Sequence, residues 1–152
     1  MKSANIRMEE QYFTALNVSV KKGVTVGDER MVATPQMLSG LELRSHVTCS
    51  NPPDEDPHHF AVTMEIFLDD SEVNERFPYF ILVRSVGIFN VKQGAFSDFA
   101  ARRDGVLELA LPRLYAGISD VVASLTARSW AGVVHLPVME FDTDFQESAS
   151  EE

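Results

Sequence analysis

The residues best suited to chemistry lie in one short stretch, where Asp54, Glu55 and Asp56 are followed by His58 and His59. Carboxylates and imidazoles are the usual ligands of divalent metal ions. Adjacent residues of an extended strand point to opposite faces, however, so the two imidazoles cannot easily reach one ion. The surrounding sequence, NPPDEDP, is typical of a solvent-exposed turn. A turn is the favoured interpretation, and a metal-dependent enzyme remains an alternative.

Other patterns that could support catalysis are incomplete. Residues 23–27 are glycine-flanked but lack the lysine and the Ser/Thr of a phosphate-binding loop. His46 and His135 are isolated, and no serine stands in a nucleophile-elbow sequence. Cys49 is the single cysteine, which rules out an intramolecular disulfide and favours a reducing compartment. It falls in a strand pattern, where we expect a small core residue. The sequence therefore predicts no enzyme, no metal site and no cofactor.

Aromatic residues are the feature that these negative results leave unexplained. They gather at the end of a predicted strand and in a predicted loop over residues 94–103. Loops usually run over the surface, so aromatic side chains there either plug the core or line an apolar groove for peptide segments. The candidate groove residues are Phe77, Tyr79, Phe80, Phe89, Phe96, Phe99 and Trp130.

Four segments of alternating apolar residues position these aromatics on predicted strands. The strands are expected at residues 12–22, 39–50, 60–68 and 79–91. Strands with one solvent-exposed face are typical of an antiparallel sheet. In the first strand, strict alternation places on one face Tyr12, Thr14, Leu16, Val18 and Val20. The fourth strand is apolar on both faces.

A long helix is predicted after the strands, over residues 106–130, with Asp104 as its N-cap. Its apolar stripe consists of Leu107, Leu111, Leu114, Ile118, Val121 and Leu125. The opposite side is also small or apolar, and few charges interrupt it. Because the strands could cover only one side, we expect another subunit to cover the second, through Tyr115, Ser119, Val122, Ala123 and Thr126. A central helix in a monomeric core is the alternative.

Strands followed by a helix, without βαβ alternation, indicate an α+β domain. We expect a single domain over residues 1–152, with flexible tails at 1–10 and 146–152. Phe141 and Phe145 are four residues apart and predict a short C-terminal helix. Residues 23–38 are left without an assigned element.

The charge balance restricts the class of partner. The chain has 13 Lys and Arg against 23 Asp and Glu, a formal net charge of −10. Nucleic-acid binding needs a basic patch, so a nucleic-acid partner is not expected. The acidic field favours basic or neutral partners, or it simply keeps the protein soluble. No apolar run suits a signal peptide or a membrane span, so a cytoplasmic location without membrane insertion is expected.

Short motifs in the second half of the chain carry a resemblance to a known family. In chain order they are Gly87-Ile88-Phe89, Leu111-Pro112, Tyr115-Ala116, Leu136-Pro137-Val138, Phe141-Asp142 and Phe145. In this order and spacing, over roughly residues 12–145, they resemble the SecB family of protein-export chaperones. The resemblance implies an α+β fold with a four-stranded antiparallel sheet packed against one long helix and a short C-terminal helix. It also implies a homotetramer, assembled as a dimer of dimers.

The activity that the resemblance implies is ATP-independent holding of unfolded polypeptide clients in apolar grooves. Leu82 stands where export chaperones carry the acid that docks the SecA motor, and Trp130-Ala131-Gly132 replaces the usual Gly-Phe-Pro. These departures leave open whether SecA is a partner. SecB-like chaperones also hold antitoxins beside toxin–antitoxin systems. The alternative function is therefore a dedicated partner-binding protein, such as an antitoxin-specific chaperone or a scaffold, without a general client range.

Overall fold

The computed structural model describes residues 5–21, 43–68, 77–137 and 139. Within these residues the elements are β1 (Ile6–Val20), β2 (Arg44–Ser50), β3 (His59–Leu68), β4 (Tyr79–Val91) and α1 (Phe99–Thr126). The strands form one antiparallel sheet in the order β1-β4-β3-β2. The predicted α+β fold, a four-stranded antiparallel sheet with one long helix, is confirmed. The predicted helix at Phe141 and Phe145, and residues 23–38, lie outside the described residues.

The core lies between the sheet and α1, because β3 and β4 present alternate side chains to the helix. On β3 these are Phe60, Val62, Met64, Ile66 and Leu68, all at most 1% exposed. From α1 they meet an apolar stripe that includes Leu107, Leu111, Leu114 and Ile118. The 28 residues of α1 span about 42 Å at 1.5 Å per residue. This matches the length of β4, so one helix covers the whole central strand.

The helix begins at Phe99, earlier than the predicted start at 106, and its N-cap is Asp98 and not Asp104. Asp98 Oδ1 accepts a hydrogen bond from the backbone N–H of Ala101 at 2.8 Å. That bond satisfies one of the free N–H groups of the first turn. The first two turns are mostly polar and small, so apolar periodicity gave no signal for them.

Strand β1 corrects two expectations. It begins at Ile6, so residues 6–10 belong to the sheet and not to a loose tail. It also contains register shifts between Met8 and Glu10 and between Phe13 and Ala15. A β-bulge inserts one unpaired residue and reverses the alternation of side chains beyond it. Tyr12 and Val18 therefore lie on opposite faces of the sheet, although strict alternation placed them together.

The segment after α1 folds back along the helix. Thr126 Oγ1 donates to the Val122 carbonyl at 2.7 Å and accepts from the Val134 backbone N–H at 2.8 Å. The Tyr115 hydroxyl donates to the Pro137 carbonyl at 2.6 Å. Buried side chains of this segment are Ala131, Val134 and Leu136. The chain itself thus covers part of the helix side that the sequence assigned to another subunit.

Candidate functional site

Three of the predicted groove aromatics are core residues. Phe77, Tyr79 and Phe89 are at most 2% exposed and pack in the cluster between sheet and helix. The Tyr79 hydroxyl donates to the Gly132 carbonyl at 2.5 Å, which ties β4 to the segment after α1. These three side chains plug the core, the alternative that the sequence left open, and they do not line a surface groove in this fold.

The remaining four predicted aromatics lie at opposite ends of the molecule. Phe96 and Phe99 are at the start of α1, whereas Phe80 and Trp130 are near the other end of β4 and beyond the end of α1. The helix between them is about 42 Å long. The structure therefore does not bring the predicted residues together into one groove.

The start of α1 forms what we call the aromatic end, made of Phe60, Phe96 and Phe99. The Phe99 ring is 38% exposed, and its centroid lies 5.9 Å from that of Phe60. Phe96 packs so closely on Gly105 that a Cβ there would lie 2.8 Å from Phe96 Cζ. Phe99 is thus the surface aromatic of this end, and the other two rings support it.

The acidic and histidine-containing turn is held against the same end of the helix. Arg102 is only 5% exposed; its Nη1 donates to the Pro57 carbonyl at 2.7 Å and lies 2.8 Å from Asp56 Oδ1. His58 Nδ1 lies 2.8 Å from the Asp56 carbonyl oxygen. In the part of the chain that the structure describes, no group of three or more His, Cys, Asp or Glu is arranged to hold a metal ion. The contacts give this turn a structural role.

The sheet surface turned away from α1 is unusually apolar, and we call it the open face. Strand β4 contributes to it Phe80, Leu82, Arg84, Val86, Ile88 and Asn90. A sheet face turned towards solvent ordinarily carries polar residues, but four of these six are apolar; Val86 is 8% exposed and the other three are half-buried. Tyr12, 45% exposed, pairs with Val86 from β1. The Phe67 and Phe80 rings meet edge to face with centroids 5.7 Å apart.

One ion pair interrupts the apolar row at its middle. Arg84 donates from Nε at 2.8 Å and from Nη2 at 2.5 Å to the same oxygen, Oε2 of Glu65. The two residues are cross-strand partners, so the sheet register places them together. Both side chains keep contact with water, at 42% and 24% exposure. Such a pair adds little stability but sets a charged point between two apolar patches.

The predicted interface residues of α1 divide into two groups. Val122 and Thr126 are fully buried, and Tyr115 nearly so, inside the chain itself. Ser119 and Ala123 are partly exposed, next to the exposed Ala116. Of the predicted interface residues, Ser119 and Ala123 are therefore the ones that a second subunit could reach. Among the described residues, no helix is long and apolar enough to cross a membrane.

Sequence reasoning included Phe80 among the candidate residues but missed the rest of the open face, although two signals pointed to it. The fourth strand was apolar on both faces, and Phe67 stands on the face of β3 that carries Thr63 and Glu65. Tyr12 could not be assigned to this face because its position depends on a bulge.

No family model matches this chain, and no curated protein matches it by sequence. Its fold is similar to that of the SecB-like chaperone Rv1957 of Mycobacterium tuberculosis, solved in complex with a ChAD peptide from the HigA1 antitoxin Rv1956. The TM-score is 0.59 at 13% identity, over 91% of this chain and 90% of that one.

A second similar structure is a protein of unknown function from Streptococcus agalactiae, with a TM-score of 0.52 at 14% identity, over 88% of this chain and 97% of that one. At such identities the likeness is one of fold. The resemblance to the SecB family that the short motifs carry is therefore matched at the level of a shared SecB-like fold.

Proposed function

We propose that this protein is an ATP-independent chaperone that binds non-native polypeptide through exposed apolar surface. The observation that carries the proposal is the distribution of that surface. On the open face the side chains of Phe80, Leu82, Val86 and Ile88 follow one another along β4, and Tyr12, which is 45% exposed, lies beside Val86. A row of large apolar side chains on a sheet face turned away from the core typically marks an interaction site.

The chemistry of the chain supports binding over catalysis. Asp56 holds its turn to α1 through Arg102, and His58 contacts the Asp56 carbonyl within the turn. Apolar contact is non-directional and tolerates many partner sequences, as a holding activity requires. The likeness in fold to a SecB-like chaperone that binds an antitoxin peptide adds support.

A dedicated partner is the second candidate function. The similar mycobacterial structure holds a peptide of one antitoxin, which favours a single cognate client for this chain as well. In that case the protein would act as an antitoxin-specific chaperone or as a scaffold. Leu82 carries no charge to dock SecA, so coupling to that motor has no support from this position.

Assembly is part of the proposal. Small residues on the outer side of α1 allow close approach of a second helix, and Ser119 and Ala123 are the predicted contacts that remain accessible. We place the protein in the cytoplasm as a homotetramer built as a dimer of dimers.

The test is suppression of aggregation of chemically unfolded proteins without nucleotide, measured by light scattering alongside the mass of the chaperone. Suppression for several unrelated clients supports general holding, and suppression for one supports a dedicated partner. Failure with all clients at a chaperone concentration of about 10 μM or more, which should occupy most of a micromolar site, would refute the proposed function.

A further inference from the structure

A row of three polar side chains crosses the open face from β2 to β4. The sheet register pairs His46 with Glu65, and it pairs Glu65 with Arg84. Cross-strand partners point to the same face of a sheet, and their Cβ atoms are about 4.5–5.5 Å apart. An imidazole, a carboxylate and a guanidinium therefore stand side by side on three strands, although His46 is isolated in the sequence.

The carboxylate at the centre of this row is only partly used. Arg84 directs both of its hydrogen bonds to Oε2 of Glu65, so Oε1 is an acceptor that Arg84 does not use. His46 is exposed and makes no hydrogen bond or ion pair within the described part of the chain. A charge on the His46 ring can therefore act on Glu65 without the loss of either bond from Arg84.

The row contains one side chain whose charge depends on pH. Imidazole is the side chain that ordinarily changes its charge between pH 5 and 8. While His46 is neutral, the charges of Glu65 and Arg84 cancel and the row has no net charge. Once His46 is protonated, the row carries one net positive charge and two cations share the carboxylate. A basic group of a partner then meets a weaker acceptor, whereas an acidic group meets an additional positive charge.

We propose that His46, Glu65 and Arg84 form a pH-sensitive charge switch on the open face, which shifts the preference of this surface from basic towards acidic polypeptide segments as pH falls. The switch rests on the proposed function and adds a means of regulating it. It differs from a fixed charged patch, because the three residues change the sign of their preference without a change in the fold.

The neighbours of His46 keep their charge over the same pH range. Arg44 lies two residues away on the same face of β2 and remains protonated. On β3 the residues on either side of Glu65 on this face are Thr63 and Phe67, which do not titrate. On β1 the partner of Arg84 is Ala15. Among the described residues that face His46, the imidazole is thus the group that titrates between pH 5 and 8.

The other charged groups of this face lie towards the opposite end of the sheet. Arg7 and Glu10 of β1 are opposite Asn90 and Ile88 of β4. His59, which is exposed on β3, also has Asn90 as its cross-strand partner. Since this partner is uncharged, His59 provides a matched control: it places a second imidazole on the open face outside the row.

The experiment measures fluorescence anisotropy of two dye-labelled peptides at about pH 8 and about pH 5.5, at constant ionic strength because salt screens exposed charges. Both peptides contain the same alternating Leu, Phe and Ser residues, flanked by lysines in one and by glutamates in the other; both kinds of flank stay charged at either pH. On acidification, the wild type should bind the lysine peptide roughly two- to fivefold more weakly and the glutamate peptide more tightly by a similar factor, as expected for one exposed charge.

His46→Gln should remove most of this change in preference, because glutamine stays neutral at both pH values. His59→Gln should retain it. Both residues are exposed, so neither variant disturbs the core. A His46→Gln variant that responds to pH as the wild type does, or a His59→Gln variant that does not respond, would overturn the switch.

The two peptides also separate a switch from a general loss of binding. Equal weakening of both peptides at the lower pH would indicate a damaged surface and would overturn the switch. If the wild type suppresses aggregation but binds both peptides independently of pH, the switch fails and the holding function stands. If the wild type neither binds peptide nor suppresses aggregation at either pH, the proposed function fails and the switch fails with it.

Discussion

The guanidinium of Arg102 and the carboxylate of Asp56 lie 2.8 Å apart, and the same Arg102 nitrogen donates to the Pro57 carbonyl at 2.7 Å. These contacts join the first turns of α1 to the turn before β3. A buried guanidinium is tolerated only when its donors are paired. The turn with the most chemically suggestive sequence is thus an anchor for the fold.

Arg102→Ala should lower the free energy of unfolding by about 2–3 kcal/mol, because it leaves the Pro57 carbonyl without its donor and a gap at the base of α1. Urea unfolding followed by circular dichroism measures the loss. Arg113→Ala, at an exposed position of the same helix, should change stability by less than about 0.5 kcal/mol. Equal effects of the two variants would contradict the anchoring role.

Gly87 lies where β4 passes under α1. A Cβ there would stand 2.7 Å from Phe89 Cε2 and 3.1 Å from Leu114 Cδ2. Gly87→Ala should therefore destabilise the fold by about 1–3 kcal/mol through overpacking. Gly117→Ala is the contrast, since its Cβ would meet only the flexible end of Gln11 and alanine favours the helix. Thermal unfolding of the two variants should shift in different directions, and a common shift would contradict this account.

Phe99→Asp tests the aromatic end as a client surface. Because the open face is the proposed site, this change should alter aggregation suppression by less than about twofold. Its stability should fall only slightly, since the ring is 38% exposed. Loss of suppression at unchanged stability would transfer the client site to the aromatic end.

Two substitutions on α1 separate assembly from folding. Ala123→Arg places a charge on the partly exposed side of the helix and should reduce the mass measured by sedimentation, with the circular dichroism spectrum unchanged. Val122→Glu places a charge at a fully buried position and should unfold the chain, because an unpaired buried carboxylate is strongly unfavourable. A folded Ala123→Arg variant of unchanged mass would show that this side of α1 is not an interface.

Two buried phenols predict a loss of stability at alkaline pH. Burial raises the pKa of Tyr79 and Tyr115 above 10.0, while hydrogen bonds with Ser129 and Ser119 act in the opposite direction. Above 10.0 the unfolded chain ionises these phenols before the folded chain does, so unfolding becomes easier as pH rises. The stabilisation is complete below that pH and is lost as pH rises through the raised pKa.

The measurement is urea unfolding at about pH 9 and about pH 11, on either side of the ordinary phenol pKa. Replacing both residues by Phe should reduce the stability difference between the two pH values. Tyr12→Phe is the control, because Tyr12 is 45% exposed, and should leave that difference as in the wild type. An undiminished difference in the double variant would show that other groups cause it.

Hydrophobic periodicity was sufficient to predict the bounds of the strands that pack in the core. Strand β4 was predicted at 79–91 and occupies Tyr79–Val91, and β3 differs from its prediction by one residue. Its alternate side chains are buried as the pattern requires. Periodicity reports the face that an element buries, so it identifies the strands and the helix that share one core.

The open face shows what hydrophobic periodicity could not predict. That β4 is apolar on both sides is visible in the chain, but the assignment of Tyr12 to the same face depends on a bulge in β1. The aromatic residues looked alike in sequence, yet Phe89 is buried and Phe99 is exposed. Which side chains reach the surface depends on segments far apart in the chain, and composition carries no record of that packing.

The sequence by itself determined the fold class and the extent of the inner strands, because burial of one apolar face imposes a local repeat. Tertiary structure alone decided the register of β1, the cap at Asp98 and the contacts of Thr126 and Tyr115 with the chain's own later segment. Each of these depends on a contact between distant residues or on one local hydrogen bond. A hydrophobic repeat of two or 3.6 residues encodes neither the distant contacts nor the single hydrogen bond. The faces available to a partner could therefore be assigned only from the folded structure.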